Sequence, residues 1–238
     1  MYVKDNKRNA NRYRDFLKNK TVALVGPSWH TKGSNQVNLI NSHDVVVRIN
    51  LGFRVVSNKV KKDIGKRTDI LYSSLARYFF SKKVFTIKSL IKMSRSISWI
   101  SCAFPLGRSG GLSRLSKINQ RIKNPIPVHV MDRKSFKFVK NEVVGNLPNY
   151  KPSTGILTIY DLLQYDIKKL YITGINFYNI DSVGKRKSYY SSYMDGFLFI
   201  DPRKAHHKMK QEIVLMKYLY KKDKRIVCDN ILETLLME

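Results

Sequence analysis

Short β-branched runs alternate along the chain with stretches whose apolar residues recur at helical spacing. The run 21–25 is continuous and apolar and stops at Gly26-Pro27-Ser28, the pattern of a buried strand passing into a loop. Two more β-branched runs, 44–49 and 68–72, repeat it, and 97–104 and 127–131 predict further strands. Residues 82–95 place Val84, Ile87, Leu90 and Ile91 at helical spacing among lysines. That pattern suits a surface helix packed on a sheet, or a segment that touches a membrane surface. Residues 107–123 are basic, contain Gly110-Gly111, and predict a loop with a short helix.

The second half of the chain is patterned more sharply. Pro152-Ser153-Thr154-Gly155 stands in front of 156–165, which has helical apolar spacing, and Pro and Ser there suit a helix start. A strand over 169–175 follows, and helix-then-strand order builds parallel sheets. Residues 179–204 are polar, aromatic and irregular, which predicts a long functional loop. From His206 onward Ile213, Leu215, Met216 and Leu219 predict a helix, and 225–228 can close as a last strand. With no internal repeat and no linker, the expectation is one α/β domain over 20–238 behind a basic lead-in at 1–19, helical or frayed.

Composition narrows this picture. A chain of 238 residues can bury a substantial core, and 43% hydrophobic residues argue against wholesale disorder. No apolar run reaches the roughly 18 residues of a membrane span, and the polar, basic start is not a secretory signal. Two cysteines, Cys102 and Cys228, cannot make a disulfide framework and fit idle thiols in a reducing compartment such as the cytoplasm. Lys+Arg outnumber Asp+Glu by 45 to 17, a net charge of +28, which raises polyanions and anionic membrane surfaces as partners. The basic residues are scattered, however, and no zinc-finger, RNA-recognition or helix-turn-helix signature supports specific nucleic-acid binding. Enrichment in Lys, Asn, Ile, Tyr and Phe, all with AT-rich codons, fits compositional drift in a viral or microbial genome.

Three segments could carry chemistry. The first strand ends in a glycine-containing loop, where open parallel sheets bind nucleotides, yet residues 26–34 match neither G-x-G-x-x-G nor the Walker loop. At Pro152-Ser153-Thr154-Gly155, a helix start with two hydroxyls suits a carboxylate or phosphate; the alternative is a routine N-cap by Ser153 or Thr154. His207 and Glu212 are five apart, about 140° round a regular helix, so they would not share a face. His207 is better placed just ahead of the helix with Glu212 in its first turn. The histidine is then either merely structural or a general base. No Asp-x-Asp pair and no Cys/His metal set occurs, so a transferase here would work without metal.

Taken together these segments resemble glycosyltransferase family 29, the sialyltransferases. The family's long motif is matched by Val22-Ala23-Leu24-Val25-Gly26-Pro27-Ser28, Gly33-Ser34, His43, Arg48-Ile49-Asn50 and Asp63-Ile64-Gly65-Lys66-Arg67-Thr68. The short motif is similar to Pro152–Gly155 through Asp166 to Ile172-Thr173-Gly174, and the very short motif H-x-x-x-x-E to His207 and Glu212. The resemblance implies a single Rossmann-like domain, a GT-A-variant fold with a mostly parallel central sheet. It implies transfer of a sugar from a CMP-sugar, most simply CMP-sialic acid, to a glycan or glycolipid hydroxyl, with inversion and without cofactor or metal.

By the same resemblance Gly26, Ser28, Asn50, Ser153, Thr154, Gly155, Gly174 and Tyr190 would bind the donor, His207 would be the base, and Glu212 would support it. Pro27 replaces the family's asparagine, and Lys151 stands where an aromatic is common. Ser188 is where the third motif would place a histidine, leaving Tyr190 or a basic neighbour to substitute for it. Val22 and Tyr165 occupy the positions whose cysteines join the long and short motifs in the family. These departures leave two other readings: transfer of another CMP-activated acid such as Kdo, or a polyanion-binding protein that kept the fold and lost catalysis.

Overall fold

The computed structural model describes residues 2–53, 58–81, 83–105, 110–145, 150–177 and 208–238. Its strands are β1 (Thr21–Val25), β2 (Val45–Ile49), β3 (Ile70–Ser73), β4 (Trp99–Cys102), β5 (Val128–Val130), β6 (Lys169–Thr173) and β7 (Ile226–Cys228). Among the described residues they form a seven-stranded sheet in the order β5-β4-β3-β2-β1-β6-β7, every pairing parallel. This is the expected α/β, Rossmann-like architecture. The strands are shorter than the apolar runs that announced them: 97–104 contributes only Trp99–Cys102, and 169–175 ends at Thr173.

A parallel sheet covered on both faces needs apolar residues at every strand position, which is why these strands read as runs rather than alternations. In β1, Val22 and Leu24 enter the larger core with Val45, Val47, Leu170 and Ile172. Ala23 and Val25 point the other way, to Ile40, Val46, Val60 and Ile64. Helices α2 (Val37–Asn41) and α3 (Asn58–Ile64) supply Ile40, Val60 and Ile64 to that second face.

The basic lead-in is helix α1 (Tyr2–Leu17), and it carries Tyr13 and Leu17 into the larger core with no exposed surface. The Asn9 side-chain amide donates to the Val128 carbonyl, fastening α1 to β5. Helices α4 (Arg77–Ser81), α5 (Ile87–Met93), α6 (Gly111–Asn119), α7 (Arg133–Val144) and α8 (Thr154–Leu163) follow in order, then α9 (Met209–Lys222) and α10 (Asn230–Met237). Helix α5 opens with a capping box between Thr86 and Ser89, buries Leu90 and Met93, and leaves Ile91 outside. Helices α7 and α10 lie outside the elements expected from the sequence; each begins at an aspartate, Asp132 or Asp229, whose carboxylate accepts from first-turn N–H groups. Among the described residues no helix is long and apolar enough to cross a membrane.

Strand order positions the site. From β1 the chain builds outward to β5, then returns to lay β6 on the other side of β1. The crevice beyond the carboxyl ends of β1 and β6 is therefore the topological switch point, where open α/β sheets bind ligands. Gly26-Pro27-Ser28 leaves β1 there and Gly174 leaves β6.

Candidate active site

Gly26 and Gly174 form the floor of the crevice by direct backbone contact. The Gly26 N–H donates to the Thr173 carbonyl at 2.8 Å and the Ser28 N–H to the Gly174 carbonyl at 2.9 Å. A Cβ on Gly26 would lie 2.2 Å from the Gly174 oxygen, and one on Gly174 would lie 2.5 Å from the Gly26 oxygen. Gly174 also has φ +71°, in the left-handed region. Packing between two loops, before any ligand is considered, requires both glycines. Gly155 differs: a Cβ there would make only ordinary contacts, 3.6 Å from Ser153 Oγ and 3.8 Å from Ile175, so the protein itself does not require glycine at that position.

Asn50 sits where β2 ends, with φ +50°, a conformation asparagine tolerates better than most residues. Its side chain bridges two neighbours. Oδ1 accepts from the Ser74 N–H at 3.2 Å beyond β3, and Nδ2 donates to Thr154 Oγ1 at 3.4 Å at the start of α8. The turn Gly26–Thr31 closes on itself through Thr31, whose hydroxyl donates to the Ser28 carbonyl at 2.9 Å.

Ser153 is the N-cap of α8, its Oγ accepting from the Ile156 N–H at 3.3 Å. It is also held from the other side. The Ser153 N–H donates to Glu212 Oε1 and its hydroxyl donates to Oε2, both at 2.6 Å. Glu212 lies in the first turn of α9, as expected, and has no exposed surface. Burial pushes its carboxyl up to about 7, against the two Ser153 hydrogen bonds that favour the carboxylate. With Ser153 and Ile156 committed inside the protein, the first-turn donors of α8 that remain for an anion are the N–H groups of Thr154 and Gly155. Of the two ways of reading Pro152–Gly155, the structure shows the N-cap, made by Ser153.

Other motif residues serve the scaffold. Arg48 is fully buried and donates to the carbonyls of Ile64, Gly65 and Arg67, a guanidinium spread over the C-terminal end of α3. Arg67 donates to the carbonyls of Asn41, His43 and Asp44 and pairs with Asp69. His43 is buried, with Nδ1 against the Leu39 carbonyl. A groove lined by Val37, Asn41, Lys61, Gly65, Lys66 and Arg67 lies beside α2 and α3, near the start of β3, away from the strand ends that carry the site. His207 and Tyr190, with Ser188 and the expected loop over 179–204, lie outside the described residues.

The geometry also brings in two residues that no motif marks. His30 Nε2 and Asp229 Oδ2 are 2.9 Å apart, across 199 positions of sequence. The same carboxylate oxygen accepts from Thr173 Oγ1 at 2.8 Å and the Gly174 N–H at 3.0 Å. No local pattern could reveal that pair, because it exists only once β7 stands beside β6. Among the described residues no group of three or more His, Cys, Asp or Glu side chains is gathered to hold a metal ion.

A parallel sheet with a switch-point crevice, closed by a tight glycine turn and faced by a capped helix start, defines a Rossmann-like ligand-binding domain. The profile of glycosyltransferase family 29 (sialyltransferase) matches residues 4–224, and the chain belongs to that family, whose members use CMP-sugars as donors. No curated protein sequence matches it. Solved structures share the fold at low identity. The sialyltransferase CstII from Campylobacter jejuni, in complex with the substrate analogue CMP-3FNeuAc, superposes with TM-score 0.58 at 18% identity over 91% of this chain and 85% of that one. An α-2,3-sialyltransferase from Campylobacter jejuni in apo form gives 0.56 at 18% identity, over 91% and 78%. A mammalian sialyltransferase gives 0.54 at 19% identity, over 88% and 68%.

Proposed function

We propose that the chain transfers a sugar acid, most simply sialic acid, from its CMP-activated form to a glycan hydroxyl, with inversion and without metal. The observation that carries this reading is the family match over residues 4–224 on a chain whose motif residues converge at one sheet edge. In this scheme the donor lies across the β1/β6 crevice, with Ser28 and Asn50 on the nucleotide. The Thr154 and Gly155 N–H groups face the phosphate, and Ser153, clamped by Glu212, fixes their direction.

The acceptor hydroxyl attacks the anomeric carbon, the bond from that carbon to the phosphate oxygen breaks, and CMP leaves. The new glycosidic bond forms on the opposite face, and the hydroxyl proton passes to His207. Oriented N–H donors stabilise the charge that builds on the leaving phosphate as the transition state acquires oxocarbenium character. A positioned base contributes about 10²–10⁴-fold. Tyr190 is assigned to the donor phosphate in place of the missing third-motif histidine, and the acceptor is a glycan or glycolipid.

The test is a thermal-shift panel of CMP, CDP, UDP, GDP and ADP, each with and without EDTA, followed by donor screening on His207→Ala. A ligand that binds only the native state raises stability by mass action. The expected result is a shift with CMP, indifferent to EDTA, and a His207→Ala variant that keeps the shift while losing turnover. A metal-dependent shift with UDP or GDP would overturn the donor assignment. Full turnover in His207→Ala would remove the base from the scheme, and turnover of CMP-Kdo in preference to CMP-sialic acid would change the sugar.

A further inference from the structure

The turn after β1 is tethered at its base by Gly26 and Ser28 to Thr173 and Gly174. Its far end carries His30, which has only 15% of its side chain exposed and makes its hydrogen bond through Nε2 to Asp229. Among the described residues Nδ1 of the same ring is buried with no partner, so the ring's described polar contact is concentrated in that one bond. The bond requires the proton on Nε2.

Asp229 is built to hold this partner. Oδ1 accepts from the Leu232 N–H as the N-cap of α10, and Oδ2 gathers His30, Thr173 and Gly174. Its own N–H donates to the Ile172 carbonyl, fixing the end of β7 to β6. Burial pushes the carboxyl up, but the His30, Leu232 and Thr173 hydrogen bonds and the charge of His30 outweigh it, and Asp229 is held below its ordinary range. Asp229 stands beyond residues 4–224, the span of the family match.

We propose that His30 and Asp229 form a latch that holds the turn Gly26–Thr31 against Gly174 and thereby sets the affinity for the cytidine nucleotide, with no share in proton transfer. This rests on the reading of the β1/β6 crevice as the CMP-sugar site. The physical reason is entropic and local. Without the latch, the described tethers of the turn between Ser28 and Thr31 are its own internal bonds, Thr31 N–H and Oγ1 to the Ser28 carbonyl. Ser28 keeps its N–H bond to the Gly174 carbonyl, but the residues beyond it, Trp29 to Thr31, would then have to be ordered by the ligand, at the ligand's expense in binding free energy. His30 is a positioning residue, and Asp229 positions it.

The experiment measures CMP binding by isothermal titration, the melting temperature without ligand, and steady-state kinetics for the full chain, His30→Ala and His30→Gln. Asp229 stays in place, so the α10 cap and the Gly174 contact are undisturbed. Glutamine can donate from its amide to the same carboxylate oxygen. His30→Ala is expected to weaken CMP binding by about tenfold, the scale of one hydrogen bond to a charged group. Donor KM should follow it, while kcat at saturating donor stays the same. His30→Gln is expected to recover to within about threefold of the parent.

Equal CMP affinity in His30→Ala and the parent overturns the latch. So does a glutamine variant as weak as the alanine one, or a loss confined to kcat. A fall in melting temperature with unchanged CMP affinity also overturns it, since that is what a purely structural contact would give. If the parent chain itself bound no CMP, the reading of the crevice would fail first and the latch with it.

Discussion

The carboxylate of Glu212 grips Ser153 twice, through the backbone N–H and through the hydroxyl, each at 2.6 Å. Two motifs 59 positions apart thereby become one structural unit, and the first turn of α8 is aimed from α9. Glu212 needs no ligand contact to matter: it holds the residue that precedes the two free N–H groups.

That burial has a pH signature. The Glu212 carboxyl is raised from an ordinary 4.5 to about 7, so between these values the folded state binds more protons than the unfolded one. Stability contributed by this site is therefore present below about 4.5, declines as pH rises through 7, and is flat beyond. Urea unfolding across pH 4–8 should show Glu212→Gln losing this decline relative to the parent, by an amount on the order of 3 kcal/mol at most. Parallel curves for the two proteins would mean that Glu212 titrates alike in the folded and unfolded states.

Gly26→Ala and Gly174→Ala should each fail by collision. Their new Cβ atoms meet backbone oxygens at 2.2 and 2.5 Å, which no rotamer change relieves. A loss of more than about 2 kcal/mol in chemical denaturation, or failure to accumulate folded protein, is expected for either. Gly155→Ala has room and should fold normally; if Gly155 faces the phosphate, its CMP affinity falls without a change in melting temperature.

Asn50→Ala removes the acceptor for Ser74 and the donor to Thr154, and it leaves alanine at φ +50°. Asn50→Asp keeps the acceptor and loses the donor. If Asn50 faces the donor as proposed, both should weaken CMP binding, the aspartate more, because its charge would repel the phosphate; melting curves and titrations on the same samples separate folding from binding.

Beneath the sheet a buried polar cluster fixes α1 and α8 to the strands. Asp161 Oδ2 accepts from the Tyr72 hydroxyl at 2.7 Å and lies 2.9 Å from His129 Nε2, while the Tyr13 ring stacks on His129 at 4.0 Å. Asp161→Ala would take the shared carboxylate from the Tyr72 hydroxyl and the His129 ring nitrogen, leaving them the Tyr13 and Tyr165 hydroxyls as partners. The expected cost is roughly 3–5 kcal/mol, read as a shift in urea midpoint with little change in slope.

Neither cysteine should react in the folded protein. Burial raises the Cys102 thiol to about 11 and the Cys228 thiol to about 12, so neither is a thiolate near neutral pH. A chromogenic disulfide reagent should titrate no thiol in native buffer and two in denaturant. Rapid native labelling would show that β4 or β7 opens readily.

Strand positions were legible because the signal is local: a strand buried on both faces needs a continuous apolar run, and 21–25 stops where Gly26 and Pro27 stop it. The α8 start and the place of Glu212 in a first turn were legible for the same reason, since caps and helix dipoles act over one turn. Helix α7 follows its cap Asp132 and turns Phe136, Val139, Val143 and Val144 to the core, a pattern present in the chain but blurred by the exposed Phe138 and by the basic residues between them.

What the chain order alone fixed was the set of elements and the types of residue at their ends. Tertiary structure decided which ends meet. Arg48, two residues from Asn50, turned out to brace α3 while Asn50 reaches the crevice, because β2 ends at Ile49 and the left-handed backbone of Asn50 (φ +50°) breaks the alternation that would otherwise put positions 48 and 50 on one face. Ser153 became a clamp rather than an open hydroxyl because α9 brings a buried carboxylate against it. His30 found Asp229 only when β7 paired with β6, and no spacing rule spans 199 residues. Local sequence encodes backbone conformation over a few residues; contacts between distant segments depend on packing the whole core, which sets their partners.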